Sequence, residues 1–279
     1  MVGEAYLPGL GTGGVASMGS GPGIGGSKRQ QYDADFEAVW SNKQTFESRW
    51  KTLADYVLPT RPRWSESDSN RGDRANTKII DDTATQALEI AKAGHMAMMA
   101  SPTRPWFIFA LALSRTERST EVNRWLTDFR DIALDVMERS NFYTSLGLLI
   151  EDELVFGTGC MAIFEDARSI IRTHAFPIGS YALAQNGRFE VDTFCRELTL
   201  TVRSLVTRFG LESCSKRVQE DFKARRFENP VAVRHMIRPN PSGKKEALFN
   251  YDLPWSECYW EKHAGHMDKA EFLSESGYA

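Results

Sequence analysis

The chain has 279 residues, 42% of them apolar and 25% charged, a balance found in folded globular proteins that excludes a wholly disordered chain. A formal net charge of -3 provides no overall positive field for nucleic acid, so any DNA contact has to be local or shape-based. Four cysteines with no C-x-x-C pair argue against a disulfide framework and for a reducing cytosol, and the sequence shows neither a signal-peptide pattern nor an apolar run long enough to span a membrane.

Residues 1–28 are rich in glycine and nearly free of charge, a composition that cannot bury enough apolar surface to offset chain entropy, and they read as a disordered arm. Gly9, Gly11 and Gly14 fall in dinucleotide-fingerprint spacing, but the strand before and the helix after that such a fingerprint needs are missing, so no cofactor is expected. From Tyr32 to Leu58, Phe36, Val39, Trp40, Phe46, Trp50, Leu53 and Tyr56 recur at steps of three and four, which predicts one amphipathic helix, or two in succession, ended by Pro59 and Pro62. The polar stretch that follows reads as a long exposed loop. Its Arg61, Arg63, Arg71 and Arg74 are candidate contacts to a partner or to phosphate.

Asp81, Asp82 and Thr83 offer caps for an Ala- and Met-rich helix that ends near Ser101-Pro102 and reads as buried. Pro102 and Pro105 then stiffen a turn that presents Trp106 and Phe107; with Trp50 and Pro59 these are the candidate structural or interface anchors. Two further helices are predicted, Thr120–Arg139 with Trp125, Leu126, Phe129 and Ile132 on one stripe, and Phe142–Phe156 after a Ser140-Asn141 stop and cap. Beyond Gly157 the pattern shortens to the strand-like runs CMAIFED, SIIRTHAF, SYALAQ and RFEVDTFCREL, with a hairpin signal at Asn186-Gly187. A short helix capped by Thr199 or Thr201 and closed by Gly210, a charged helix near 215–226, and the strand-like runs VAVRHMI, LFNYDL, ECYWEKH and AEFLSES complete the chain. The fold class is α+β: an arm at 1–28, a helical region at 29–156, and a mostly antiparallel β region with short helices at 157–279.

The chemistry-bearing residues give no convergent site. Glu151, Asp152 and Glu153 sit on successive helical positions and point in different directions, so with Glu165 and Asp166 they read as a solvated face and a turn rather than a divalent-cation site. Cys258, His263 and His266, with Cys214 or His235, have irregular spacing for zinc. Gly157-Thr158-Gly159-Cys160 lacks the pattern of a nucleophile elbow. Asp221 and Lys223 echo part of a metal-dependent nuclease site but fall in a helical run. The basic residues Lys216, Arg217, Lys223, Arg225 and Arg226 of that run suit phosphates, although Glu220 and Asp221 dilute their charge. No catalytic residue and no metal ligand is assigned.

The ordered segments ESRWKTLADYVLPTRPRW, DDTATQALEIAKAGHMAMMASPTRPWF, LVFGTGCMAIFED and HAFPIGSYALAQNGRFEVDTFCRELTLTVRSLVTRFG, with VRHMIRPNP and SECYWEKH later, resemble the head-to-tail connecting (portal) protein family of short-tailed phages, from about Gln30 to the end of the chain. That resemblance implies a structural subunit rather than an enzyme, made in the host bacterial cytoplasm and placed at a capsid vertex of the virion. It implies self-assembly into a ring of about a dozen copies, with capsid, terminase and tail proteins as partners and double-stranded DNA passing through. Family members are longer, so the resemblance also implies that the segment is mainly the outer wing and stops before the stem and clip. The alternatives are a metal-dependent nuclease using the carboxylates above and Lys223, or a monomeric adaptor-type binding module.

Overall fold

In a computed structural model, the residues described are 28–61, 64, 78–110, 120–240, 243, 253–263 and 272–278. The glycine-rich arm, Arg63, Arg71, Arg74, His266 and most of LFNYDL lie outside them. Six helices and seven strands are formed among the described residues, helices first and antiparallel strands after, so the architecture is α+β as expected.

Helix α1 (Lys28–Val57) is continuous where the sequence left one helix or two open. Its 30 residues make a rod about 45 Å long, and that length decides its role. The N-terminal half lays Tyr32, Phe36 and Val39 on a five-stranded sheet, while Ala54 and the following Leu58 join a second core with Leu88, Phe156, Phe176, Ile178 and Tyr181. Pro59 sits half-buried in the turn just beyond, where a helix cannot continue through its ring.

Helix α2 (Thr83–Met99) is held at its start by Asp81, whose carboxylate accepts from Thr83 N at 2.7 Å; Asp82, at the cap position, makes no cap bond. The expectation that this Ala- and Met-rich helix is buried is corrected. Only Leu88 is buried, and Met98 remains 80% exposed, because the small side chains approach the later helix at Phe142–Phe156 on one face and nothing in the described chain covers the other. Helices α3 (Thr120–Arg139) and α4 (Phe142–Phe156) have the bounds expected from their periods. At their junction Ser140 Oγ accepts from Phe142 N at 3.1 Å, while Asn141 turns to Thr173, accepting from its N–H at 2.8 Å and donating to its carbonyl at 2.7 Å.

Strands β1 (Cys160–Asp166) and β2 (Ile170–Phe176) form a hairpin packed on α4. Gly157 and Gly159 make the helix-to-strand turn: Gly157 takes φ 75° as the left-handed end of α4, and a Cβ at Gly159 would lie 2.6 Å from Leu149 Cδ1. Strands β3 (Tyr181–Gln185), β4 (Val191–Thr201), β5 (Pro230–Pro239), β6 (Trp255–Glu261) and β7 (Ser274–Tyr278) form an antiparallel sheet in sequence order. The Asn186-Gly187 hairpin forms, but not as a two-residue turn. Asn186 Oδ1 accepts from Arg188 N and Glu190 N, and Phe189, not Gly187, holds the left-handed conformation at φ 63°.

Between β4 and β5 the chain makes α5 (Val202–Phe209) and α6 (Lys216–Lys223), capped by Thr201 and Ser215, whose side chains accept from Ser204 N and Val218 N. They cover the sheet face opposite α1, burying Val202, Leu205, Cys214 and Val218 against Val233 and Tyr259.

Candidate functional site

The chain buries several charged groups and leaves part of its apolar surface outside, and both choices bear on function. The first charged group joins the helical region to the turn after α1. Arg61 donates to Asp152 of α4 in a two-pronged pair, Nε at 3.2 Å and Nη2 at 2.9 Å, and also to Ala175 O at 3.3 Å. Asp152 is fully buried, and burial pushes its carboxyl above the ordinary value despite the opposing pull of Arg61. Neighbouring Glu151 pairs with Lys92 of α2 at 3.5 Å. These two carboxylates therefore do not form the solvated face read from the sequence; each is matched with a cation from another element. Arg61 is correspondingly an internal tie and not an outward-facing cation.

A second group pins α1 to the sheet. Arg234 of β5 donates to Asp33 at 2.9 Å, to Glu197 at 3.1 Å and to Glu37, and its guanidinium lies 4.6 Å from the Phe36 ring centroid. Trp260, fully buried, donates its indole N–H to Asp33 at 2.8 Å.

A third group lies on the opposite sheet face. Arg196 Nε donates to His235 Nδ1 at 2.9 Å, and His235 Nε2 contacts Glu257 Oε1 at 2.7 Å; Tyr259, Ser276 and Tyr278 donate to the same carboxylate. With Nδ1 accepting, the imidazole is neutral and carries its proton on Nε2. Burial holds its pKa down at about 4 although Glu257 pulls the other way. Burial alone would raise Glu257, but the hydrogen bonds from His235 and Tyr278 outweigh it and bring the carboxyl to about 2.

Among the described residues, the candidate zinc ligands are not brought together. Cys258 pairs in register with Met236 and sits under α1, so His235, one residue earlier on β5, points to the other face. Cys214 lies in the α5–α6 core, and no group of three His, Cys, Asp or Glu converges among the described residues. Cys160 is raised to about 11 by burial and so is held as a thiol. Asp166 is engaged by Arg168 N and Ser169 N of its own turn, and Asp221 pairs with Arg226 at 3.4 Å instead of aligning with Lys223.

The anchors divide into two kinds. Trp50 is an internal one, half-buried and donating its indole N–H to Phe156 O at 3.3 Å. Trp106 donates to Tyr143 OH at 3.2 Å and begins an aromatic ladder through Phe107, Phe109 and Phe129 to Trp125, with successive centroids 4.8, 5.4, 5.0 and 5.7 Å apart. Its outer end is open: Trp125 is 62% and Ile132 61% exposed. The sequence period had grouped these two with buried Leu126 on one stripe; α3 in fact has two adjacent apolar stripes, and only one meets α4 and β2.

An α+β chain whose titratable groups tie elements together, and whose largest unused feature is an apolar surface, has the makings of an assembly component. Comparison with known sequences gives the class. The profile described as "Bacteriophage head to tail connecting protein" matches residues 29–279, and the chain belongs to that family. Among similar curated proteins, the "Portal protein" of Salmonella phage epsilon15 is 38% identical over 238 residues and the "Probable portal protein" of Bordetella phage BPP-1 is 33% identical over the same length. Each alignment covers 85% of this chain and 42% of the relative, so the chain spans about two fifths of the length of the curated relatives it matches.

Proposed function

We propose that the chain is a structural subunit of a phage head-to-tail connector: a portal-type ring at the capsid vertex that passes DNA during packaging and ejection and contacts capsid, terminase and tail proteins. The observation that carries this reading is the family match over residues 29–279 together with two relatives named as portal proteins. The carboxylates a nuclease would need support the same reading, since Asp152, Glu151 and Asp221 are each engaged with a cation. The self-contact is assigned to the outer face of α3 with the 106–109 strap, where stacked aromatics of the type enriched at interfaces remain open.

The test is the mass of the purified chain by light scattering and native mass spectrometry. Closed rings or their arcs are expected, and Trp125→Glu with Ile132→Glu should return the chain to monomer at unchanged thermal stability. A strict monomer at all concentrations and salt conditions overturns self-assembly for this chain and leaves the adaptor reading.

A further inference from the structure

Helices α5 and α6 form a small hairpin whose inner side is fixed and whose outer side is basic. Residues 202–228 contain seven Lys or Arg and four Asp or Glu, in a chain whose formal net charge is -3. The inner side is apolar and closed, with Val202, Leu205, Cys214 and Val218 buried on the sheet. Its seat is reinforced by Glu261 of β6, which accepts from Ser215 N at 2.8 Å and Ser215 Oγ at 2.7 Å, and by Arg203 N donating to Phe227 O at 3.1 Å. The helix starts are thus satisfied from within the chain. What faces outward is Arg203, Ser204 and Thr207 on α5, then Lys216, Arg217, Glu220 and Lys223 on α6, and Arg225 and Arg226 beyond it, while Arg208 turns back to donate to Tyr259 OH at 3.1 Å.

Arg208 and Lys223 lie in last turns, where positive charge suits the helix dipole, but the other cations are placed against local stability. Arg203 and the pair Lys216 and Arg217 occupy first turns, where the helix dipole disfavours positive charge and where Asp or Glu would stabilise. Arg225 holds φ 60°, a left-handed conformation in which glycine or asparagine would sit without strain. Local choices that work against the fold gather at functional positions. Lys216, Arg217, Lys223 and Arg225 also have no ion pair among the described residues, whereas Arg203 and Arg226 have only exposed pairs at 3.4 Å, with Glu228 and Asp221.

We propose that the outer face of the α5–α6 hairpin binds the sugar-phosphate backbone of double-stranded DNA without reading sequence. Charge complementarity selects a polyanion, and exposed guanidinium and ammonium groups on a firmly seated hairpin suit the closely spaced phosphates of a duplex. Sequence readout is not expected: Gln219, the amide side chain of α6, is committed to Cys214 O at 2.9 Å. Glu220 and the acidic remainder of the chain keep the contact weak and salt-sensitive, which suits DNA that has to slide past a structural subunit. The choice of DNA as the polyanion rests on the proposed function, but the binding is measured whatever oligomer the chain forms.

The test is fluorescence anisotropy of the full chain with a labelled random-sequence duplex, across a salt series. With four free cations engaged, the log–log salt slope should be about -3 to -4. The combined variant Lys216→Ala, Lys223→Ala, Arg217→Ala and Arg225→Gly should weaken binding at least about tenfold and flatten the slope while keeping the circular dichroism and melting temperature of the parent. A matched control, Arg124→Ala, Arg139→Ala, Arg168→Ala and Arg188→Ala, removes the same charge elsewhere and should leave binding within about twofold. The proposal is overturned if the parent does not bind, if the control loses as much as the hairpin variant, or if Arg63→Ala, Arg71→Ala and Arg74→Ala abolish binding with the hairpin intact. It also falls if polyglutamate competes as well as unlabelled duplex does under equal charge, because the occupant is then an acidic polymer and not DNA.

Discussion

The sheet region and the helical layer treat their large side chains in opposite ways. In the sheet, Trp260 is fully buried between Tyr32 and Phe36, with its indole nitrogen satisfied by Asp33. In the helical layer, Trp125 stacks on Phe129 and then stops, leaving most of its surface outside. The sheet has α1 on one face and α5–α6 on the other, so its core is complete within the chain. Helix α2 packs on α1 and α4 and helix α3 on α4 and β2, each by one face, and their outer apolar positions are unmatched among the described residues. One region closes its core on both faces and the other leaves apolar side chains uncovered among the described residues.

The largest expected effect tests whether the helical region depends on its internal ion pair. Arg61→Ala should destabilise by about 3–5 kcal/mol, because it leaves Asp152 buried without its cation, and the apolar pair Arg61→Met with Asp152→Leu should recover most of that loss. Urea melts of the single and double variants measure it, and equal losses in both would show that the pair acts through packing alone. Tryptophan truncation draws the contrast directly: Trp260→Ala should cost about 3–5 kcal/mol, whereas Trp125→Ala in the isolated chain should stay within about 0.5 kcal/mol and reduce self-association. Similar losses at both positions would remove the distinction between the two regions.

Acid should act on the sheet before the helices. His235 is held at about 4, below its unfolded value, so the unfolded chain takes up the proton first and the sheet loses stability as pH falls from about 6.5 toward 4. Glu257, held at about 2, adds a further loss as pH falls from the ordinary glutamate range toward 2. His235→Phe should remove the first part of the acid transition and, by leaving Glu257 with fewer donors, lower stability at neutral pH; thermal melts from pH 7 to 4 follow both. The smallest effect concerns the β3–β4 turn, where Phe189→Asn should gain about 0.5–1 kcal/mol by relieving a left-handed phenylalanine. No gain would place the origin of that conformation in the Asn186 side-chain bonds.

Local pattern was enough for much of this. The bounds of α3 and α4, the hairpin strands, a threonine cap at 199 or 201 and the Gly210 stop all follow from period, capping chemistry and glycine conformation, which act over a few residues; the structure selects Thr201. The errors were of another kind. Composition predicts a buried Ala- and Met-rich helix, and period places Trp125 and Ile132 on one stripe with Leu126, because a pattern shows that a face is apolar and not what covers it. Arg61 was read as outward for the same reason: its partner Asp152 is 91 residues away, and no spacing rule connects them.

The amino-acid sequence by itself determined the α+β class, the order of elements and the family, since each rests on short-range stereochemistry or on ordered motifs along the chain. Only the tertiary structure decided which charges are internal ties and which remain outside. It set His235 and Cys258 on opposite faces of one sheet, buried Asp152 beside Arg61, and left the α5–α6 cations and the α3 aromatics facing outward. The physical reason is that burial and pairing are properties of the whole arrangement: a side chain's environment is made by elements tens or hundreds of residues away, and no local pattern contains them.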